Sequence, residues 1–83
     1  MKNENDTALA DAALDAEYDE SRHKFLSDCA ALDTALAAAI DGASYATRVI
    51  ARAKHKAATN ALIDALVATR VAAEARHERA IAP

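Results

Sequence analysis

Residues that interrupt regular structure are almost absent from this chain. Its 83 residues include one glycine, Gly42, and one proline, Pro83, whereas alanine occurs 25 times. Helices tolerate glycine and proline least, and alanine has the highest intrinsic helix propensity. Because the single glycine lies near the middle and the single proline at the end, the composition predicts an all-α chain of two long helices.

Cysteine and long apolar runs are also scarce. Cys29 is the only cysteine, which excludes an intramolecular disulfide. We expect it to pack as a small apolar residue in a reducing compartment. The first six residues are polar, unlike a signal peptide, and no apolar run approaches the ~20 residues that a membrane span needs. These absences predict a cytoplasmic protein with no membrane segment.

The helix signals place the boundaries of an antiparallel helical hairpin. Residues 1–5 are expected to form a disordered tail, with Asn5 or Asp6 capping a first helix over about 6–40. Asp41-Gly42 predicts a turn over 41–43, since glycine adopts the left-handed conformation that ends helices. Ser44 then caps a second helix over about 44–80, and 81–83 form a C-terminal tail. Helices of more than 30 residues, each about 50 Å long, favour coiled-coil packing.

The larger apolar residues of helix 1 form one narrow stripe. Many of them repeat at eleven residues, a period of 3.67 residues per turn that suits a nearly straight helix. The stripe consists of Leu14, Tyr18, Phe25, Cys29, Leu32, Leu36 and Ile40. Leu9 and Leu26 lie off it.

Helix 2 has a wider apolar surface. We expect its inward face to begin with small residues and to become bulkier toward the C-terminus, so that it comprises Ala46, Val49, Ile50, Ala53, Ala57, Ile63, Val67 and Val71. Leu62 and Leu66 are placed to one side. A hairpin closed at Asp41-Gly42 pairs residues whose numbers sum to roughly 84, which puts Tyr18 near Leu66. Asn60 falls near the inward face, where it either sets register and oligomeric state or lies partly exposed beside the contact.

Two helices cannot bury a surface this wide. A second copy would complete a four-helix bundle, so we predict a homodimer. The residues predicted to form the dimer or partner interface are Leu14, Tyr18, Phe25, Leu62, Ile63, Leu66, Val67, Arg70 and Val71. Monomers that fold on a partner and higher oligomers are the alternatives.

Charge is distributed unequally between the two halves. Residues 1–41 hold ten acids and three bases, whereas residues 42–83 hold three acids and seven bases. The simplest interpretation is attraction between an acidic helix 1 and a basic helix 2. The alternative is a face for an anionic partner such as nucleic acid, made of Arg48, Arg52, Lys54 and Lys56. With only three aromatic residues in the chain, a stacking platform for unpaired bases is not evident.

Two Glu-x-x-His pairs are the only pattern suggestive of metal chemistry. Glu20 and His23 form one pair and Glu74 and His77 the other, a spacing used in di-iron helix bundles. The first pair lies away from the apolar stripe and the hairpin places His77 near Thr7, so we predict no metal, no cofactor and no catalytic residue. The chain also lacks a glycine-rich phosphate loop and a nucleophile paired with a base.

These features favour a small interaction protein rather than an enzyme. The first hypothesis is a helical-hairpin dimer that binds and modulates or inhibits another protein, as phage-type accessory and inhibitor proteins do; this rests on the general character of such chains. The second is a nucleic-acid-binding regulator that uses the basic face of helix 2. The third is a structural assembly element of a larger complex.

Overall fold

The chain folds as the predicted all-α antiparallel hairpin. The structure, a computed structural model, describes residues 4–83, with α1 over Glu4–Ile40 and α2 over Tyr45–Ile81. Each helix has 37 residues, and together they form a layer whose principal extents are 64 × 15 × 7 Å. The layer is one helix thick, so both of its broad faces are surfaces of the same two helices.

Gly42 allows the chain to reverse direction at the predicted place. Its φ of 66° lies in the left-handed region, and no atom lies within 4 Å of where a Cβ would be, so the backbone alone requires glycine here. The Ala43 amide donates to the Ile40 carbonyl at 3.2 Å and ends α1. Ser44 then caps α2 as predicted, because its Oγ accepts from the Thr47 amide at 3.3 Å.

The outer ends of both helices extend beyond their predicted bounds. Helix α1 begins at Glu4, so Asn5 and Asp6 lie inside its first turn and neither is the cap. The acidic side chains of Glu4 and Asp6 suit this position, since the N-terminus of a helix carries partial positive charge. Residues 1–3 of the predicted tail lie outside the described residues. At the other end α2 continues to Ile81, and the Ala82 amide closes it on the Glu78 carbonyl at 3.0 Å.

The predicted stripe of α1 is confirmed as the face that packs on α2. All seven of its members are half-buried: Leu14, Tyr18, Phe25, Cys29, Leu32, Leu36 and Ile40. Leu9 and Leu26, which lie off the stripe, are exposed. Cys29 is a free thiol within this seam.

The predicted inward face of α2 is wrong. The residues assigned to it are all exposed: Ala46, Val49, Ile50, Ala53, Ala57, Ile63, Val67 and Val71. Asn60, expected near the inward face, is exposed as well. The side that faces α1 instead carries Ala51, His55, Ala58, Thr59, Leu62, Leu66, Arg70, Ala73 and His77.

Polar contacts explain this rotation of α2. Three acids of α1 meet three bases of α2 across the seam, in the pairs Asp33–His55 (2.8 Å), Asp11–His77 (2.6 Å) and Glu17–Arg76. The side of α2 with Leu62 and Leu66 combines these polar partners with apolar contact. The side of α2 that was predicted from its apolar residues is therefore not the side that packs on α1.

The register also differs from the prediction. Partners across the seam have residue numbers that sum to 88–93 rather than 84, so Tyr18 meets Arg70 and Glu74, and His77 meets Asp11 rather than Thr7. Side chains on a helix lean toward its N-terminus. In this hairpin they lean away from the turn on α1 and toward it on α2, so contacting residues lie farther from the turn on α2.

Candidate interaction surfaces

One broad face of the hairpin carries two apolar grooves between the helices. On each helix the lining residues recur every three or four positions, which places both grooves on the same side of the layer. We call this side the groove face. Its lower groove, nearer the chain ends, is lined by Glu17, Glu20, Ser21, Lys24, Phe25, Asp28, Leu62, Ala65, Leu66 and Thr69. Its upper groove, nearer the turn, is lined by Leu32, Ala35, Leu36, Ala39, Thr47, Ile50, Ala51, Lys54, His55 and Ala58.

The rims of the two grooves differ in charge. The lower groove has three carboxylates and one lysine. Glu17 pairs with Arg76 and Asp28 pairs with Lys24 at 2.8 Å, which leaves Glu20 as the carboxylate without an ion pair among residues 4–83. The upper groove has Lys54 on its rim and no acid. A ligand that covers both grooves therefore meets negative charge at one end and positive charge at the other.

A second exposed apolar surface runs along the outer side of α2. We call it the outer stripe and define it by Val49, Ala53, Asn60, Ile63, Val67 and Val71. Its valines and isoleucine are 45% (Val49), 43% (Ile63), 54% (Val67) and 63% (Val71) exposed. None of these residues lines either groove or belongs to the half-buried side of α2. Helix α2 thus carries an apolar surface that α1 does not cover.

A polar cluster closes the seam between the lower groove and the chain ends. Tyr18 donates a hydrogen bond from its hydroxyl to Glu74 Oε1, and the Arg70 guanidinium lies 4.8 Å from the centre of the Tyr18 ring. The hydrogen bond to the Glu74 carboxylate, with some desolvation, raises the pKa of the Tyr18 phenol above its ordinary value. Arg70 Nε is buried without a hydrogen-bond partner, and the guanidinium makes a cation–π contact with the ring.

The nine predicted interface residues fall into three groups. Phe25, Leu62 and Leu66 line the lower groove. The seam between the helices holds Leu14, Tyr18 and Arg70, whereas the outer stripe contains Ile63, Val67 and Val71. The structure therefore does not bring them together as one patch.

The upper groove was missed by sequence reasoning. Its floor combines Leu32, Leu36 and Ile50 with alanines from both helices. Periodic alanines were the available signal, but they recur around the whole of both helices and do not mark one side.

The predicted anionic-partner face lies near the turn. Arg48, Arg52, Lys54 and Lys56 are all exposed, and none makes an ion pair within residues 4–83. They do not form one row, because Lys54 lines the upper groove and the others lie elsewhere around α2. None of these four charges therefore pairs directly with α1, and the ion pairs between the helices involve His55, Arg76 and His77 instead.

The two Glu-x-x-His pairs are separated by the fold. Glu20 lines the lower groove and His23 is exposed, whereas Glu74 bonds to Tyr18 and His77 bonds to Asp11. Among the described residues no group of three or more histidine, cysteine, aspartate or glutamate side chains is arranged to hold a metal ion. The carboxylates and imidazoles of the seam act between the helices.

Comparison with protein-family models, with curated proteins and with solved structures found no match. Neither described helix combines the length and apolarity required to cross a bilayer. The features of the molecule that bear on function are therefore the groove face, the outer stripe and the charges beside them.

Proposed function

We propose that this protein is a non-enzymatic interaction module, a dimeric helical hairpin that binds another protein and thereby modulates or inhibits it. One observation carries the proposal. Ala73 is the single buried apolar residue within 4–83, while nine large apolar side chains are exposed, five of them on the groove face or the outer stripe. A two-helix layer with so little interior gains stability when other helices cover it.

The groove face suits an amphipathic helix from a partner protein. The lining positions extend over 17–39 on α1 and 47–69 on α2, a length of about 33 Å at the rise of an α-helix. Six turns of a third helix fit along this distance, with large side chains entering the lower groove over Phe25 and the upper groove beside Ile50. This is the helix-in-groove mode of recognition, in which apolar anchors recur every three or four residues.

Rim charge defines the partner more closely. Glu20 on the lower groove has no ion pair and Lys54 on the upper groove has none. A partner helix with a basic residue near one end and an acidic residue near the other satisfies both in a single orientation. Such charges chiefly set orientation and the rate of association.

Replacing Ile50 with glutamate is expected to abolish binding of the partner. Ile50 is 55% exposed and contributes to the upper groove, so the change puts a charge on the docking surface at a largely exposed position. Tagged protein is used to capture partners from its native cells, and binding is then repeated with the purified partner. Wild type is expected to retain a stoichiometric protein that Ile50→Glu loses, with both variants equally helical by circular dichroism.

Leu9→Glu is the matched control. Leu9 is 70% exposed and lines neither groove, so this variant should capture the partner as wild type does. Retention of the partner by Ile50→Glu, or its equal loss from Leu9→Glu, would show that the groove face is not the docking surface.

A second candidate function is binding of nucleic acid near the turn. It is favoured by the four basic side chains of α2 that are exposed and make no ion pair. Binding to a phosphate backbone should fall steeply with salt, and Arg52→Glu should lower the slope of log affinity against log salt by about one for the lost contact. A gel-shift titration measures this, and no shift at low salt would remove the candidate.

A further inference from the structure

The outer stripe is arranged as a helix–helix contact surface. Its members Val49, Ala53, Asn60, Ile63 and Val67 are spaced by intervals of three, four and seven residues, and the exposed Lys56 occupies the position between Ala53 and Asn60. Positions at this spacing stay on one side of an α-helix and form the seam of a coiled coil. The stripe is about 33 Å long between Val49 and Val71, and all of its members are exposed in the hairpin.

Four members of the stripe are placed symmetrically about Asn60. Val49 and Val71 each lie eleven residues from Asn60, and Ala53 and Val67 each lie seven residues from it. A two-fold axis through Asn60 would therefore set valine against valine at the ends of the stripe. Between the ends it would set each Val67 against the small Ala53 of the other copy, so that a large side chain fills the space beside a small one.

The distribution of charge selects the direction of such a pair. Residues 30–56, which form the turn half of the hairpin, hold two acids and four bases, whereas residues 4–29 and 57–83 hold eleven acids and five bases. Two copies related by the axis through Asn60 run antiparallel, so the basic half of each lies beside the acidic half of the other. A parallel pair would put like charge beside like charge along its whole length.

We infer that a second copy of this chain occupies the outer stripe, with the two α2 helices antiparallel and the two Asn60 side chains meeting at the axis. Two amides that meet at the axis hydrogen-bond to each other in this register, and a shift would bury them against apolar side chains. The groove face of each copy stays free, so the dimer presents two partner sites. The inference rests on the dimer of the proposed function and adds its surface and direction.

Disulfide trapping tests the arrangement directly. Two single variants, Val49→Cys and Val71→Cys, are made in a Cys29→Ala background, whose mass by light scattering should be twice 8.7 kDa. Within one chain the two positions are about 33 Å apart on one helix, far beyond the reach of a disulfide. On mild oxidation the mixture should form a Val49→Cys/Val71→Cys disulfide dimer as its main product, while each variant alone should remain reduced.

The matched control replaces Val49→Cys with Ile50→Cys. Ile50 is the next residue but lines the upper groove, so its mixture with Val71→Cys should not cross-link. Rapid cross-linking of Val49→Cys alone would show a parallel pair and overturn the inference. A background protein that is dimeric, but whose mixture cross-links no more than this control, would also overturn it.

The outcomes separate this inference from the proposed function. Failure of cross-linking in a dimeric protein leaves the groove face and its partner in place. A monomeric background protein overturns both the inference and the dimer of the proposed function. Loss of the captured partner in Ile50→Glu tests the groove face alone and does not depend on how two copies meet.

Discussion

Leu66→Glu is expected to destabilise the hairpin strongly. Leu66 is half-buried against α1 and lines the lower groove with Phe25. The substitution removes the apolar contact and places a carboxylate in the seam, where the one lysine of the lower groove, Lys24, is already paired with Asp28, at a cost of about 2–4 kcal/mol. An 83-residue chain has a total stability of roughly 4–12 kcal/mol. The helical signal should therefore melt roughly 10–25 °C lower than in wild type.

Leu66→Met is the control for this change. Methionine keeps the volume and the apolar surface, so it should cost less than about 1.5 kcal/mol. Circular dichroism during heating, at equal protein concentration, measures all three proteins. A Leu66→Glu protein with half the wild-type mass and an unchanged melting temperature would contradict this prediction. Leu66 would then lie in a contact between copies, and Ile63 and Val67 would face α1 as the sequence predicted.

The architecture of the hairpin could be predicted because few residues decide it. Gly42 is the one position that favours a reversal, and Ser44 follows it as a cap. The stripe of α1 could be predicted for a similar reason, since its members are the only large apolar side chains of that helix besides Leu9 and Leu26.

The orientation of α2 could not be predicted in the same way. This helix has large apolar residues on two sides, and alanine, which is compatible with either, fills much of the rest. The side that packs on α1 is distinguished by His55, Arg70 and His77, residues that composition assigns to solvent. The polar ends of these three side chains reach Asp33, Tyr18 and Asp11 across the seam.

The candidate surfaces were predictable only in part for the same reason. Ile63, Val67 and Val71 were expected to meet another chain, but as an extension of the inward face. In the observed orientation of α2 they form a surface separate from Phe25 and Leu66, which line the lower groove. One wide patch is replaced by two surfaces on different sides of the molecule, and a protein that binds a second copy and a different partner needs two such surfaces.

Val67→Glu is expected to dissociate the dimer. Val67 follows Leu66 in sequence but lies on the outer stripe, 54% exposed in the single hairpin, so glutamate there costs the fold of the hairpin little. In the antiparallel pair it faces the Ala53 of the other copy, and symmetry places the lost contact in the interface twice. Burial of one valine contributes about 1.5–3 kcal/mol, so two lost contacts should raise the dissociation constant roughly 100-fold to 10,000-fold.

Analytical ultracentrifugation over a range of concentrations measures this change. The melting temperature of wild type should rise with protein concentration, because only folded chains dimerise. Val67→Glu should lose that dependence and sediment as a monomer. Val67→Ile, which keeps the apolar surface, should remain dimeric. A Val67→Glu protein with the mass and the concentration dependence of wild type would exclude the outer stripe from the dimer. Substitutions at the adjacent positions 66 and 67 should thus have different effects: the first weakens the fold of the hairpin and the second weakens its dimer.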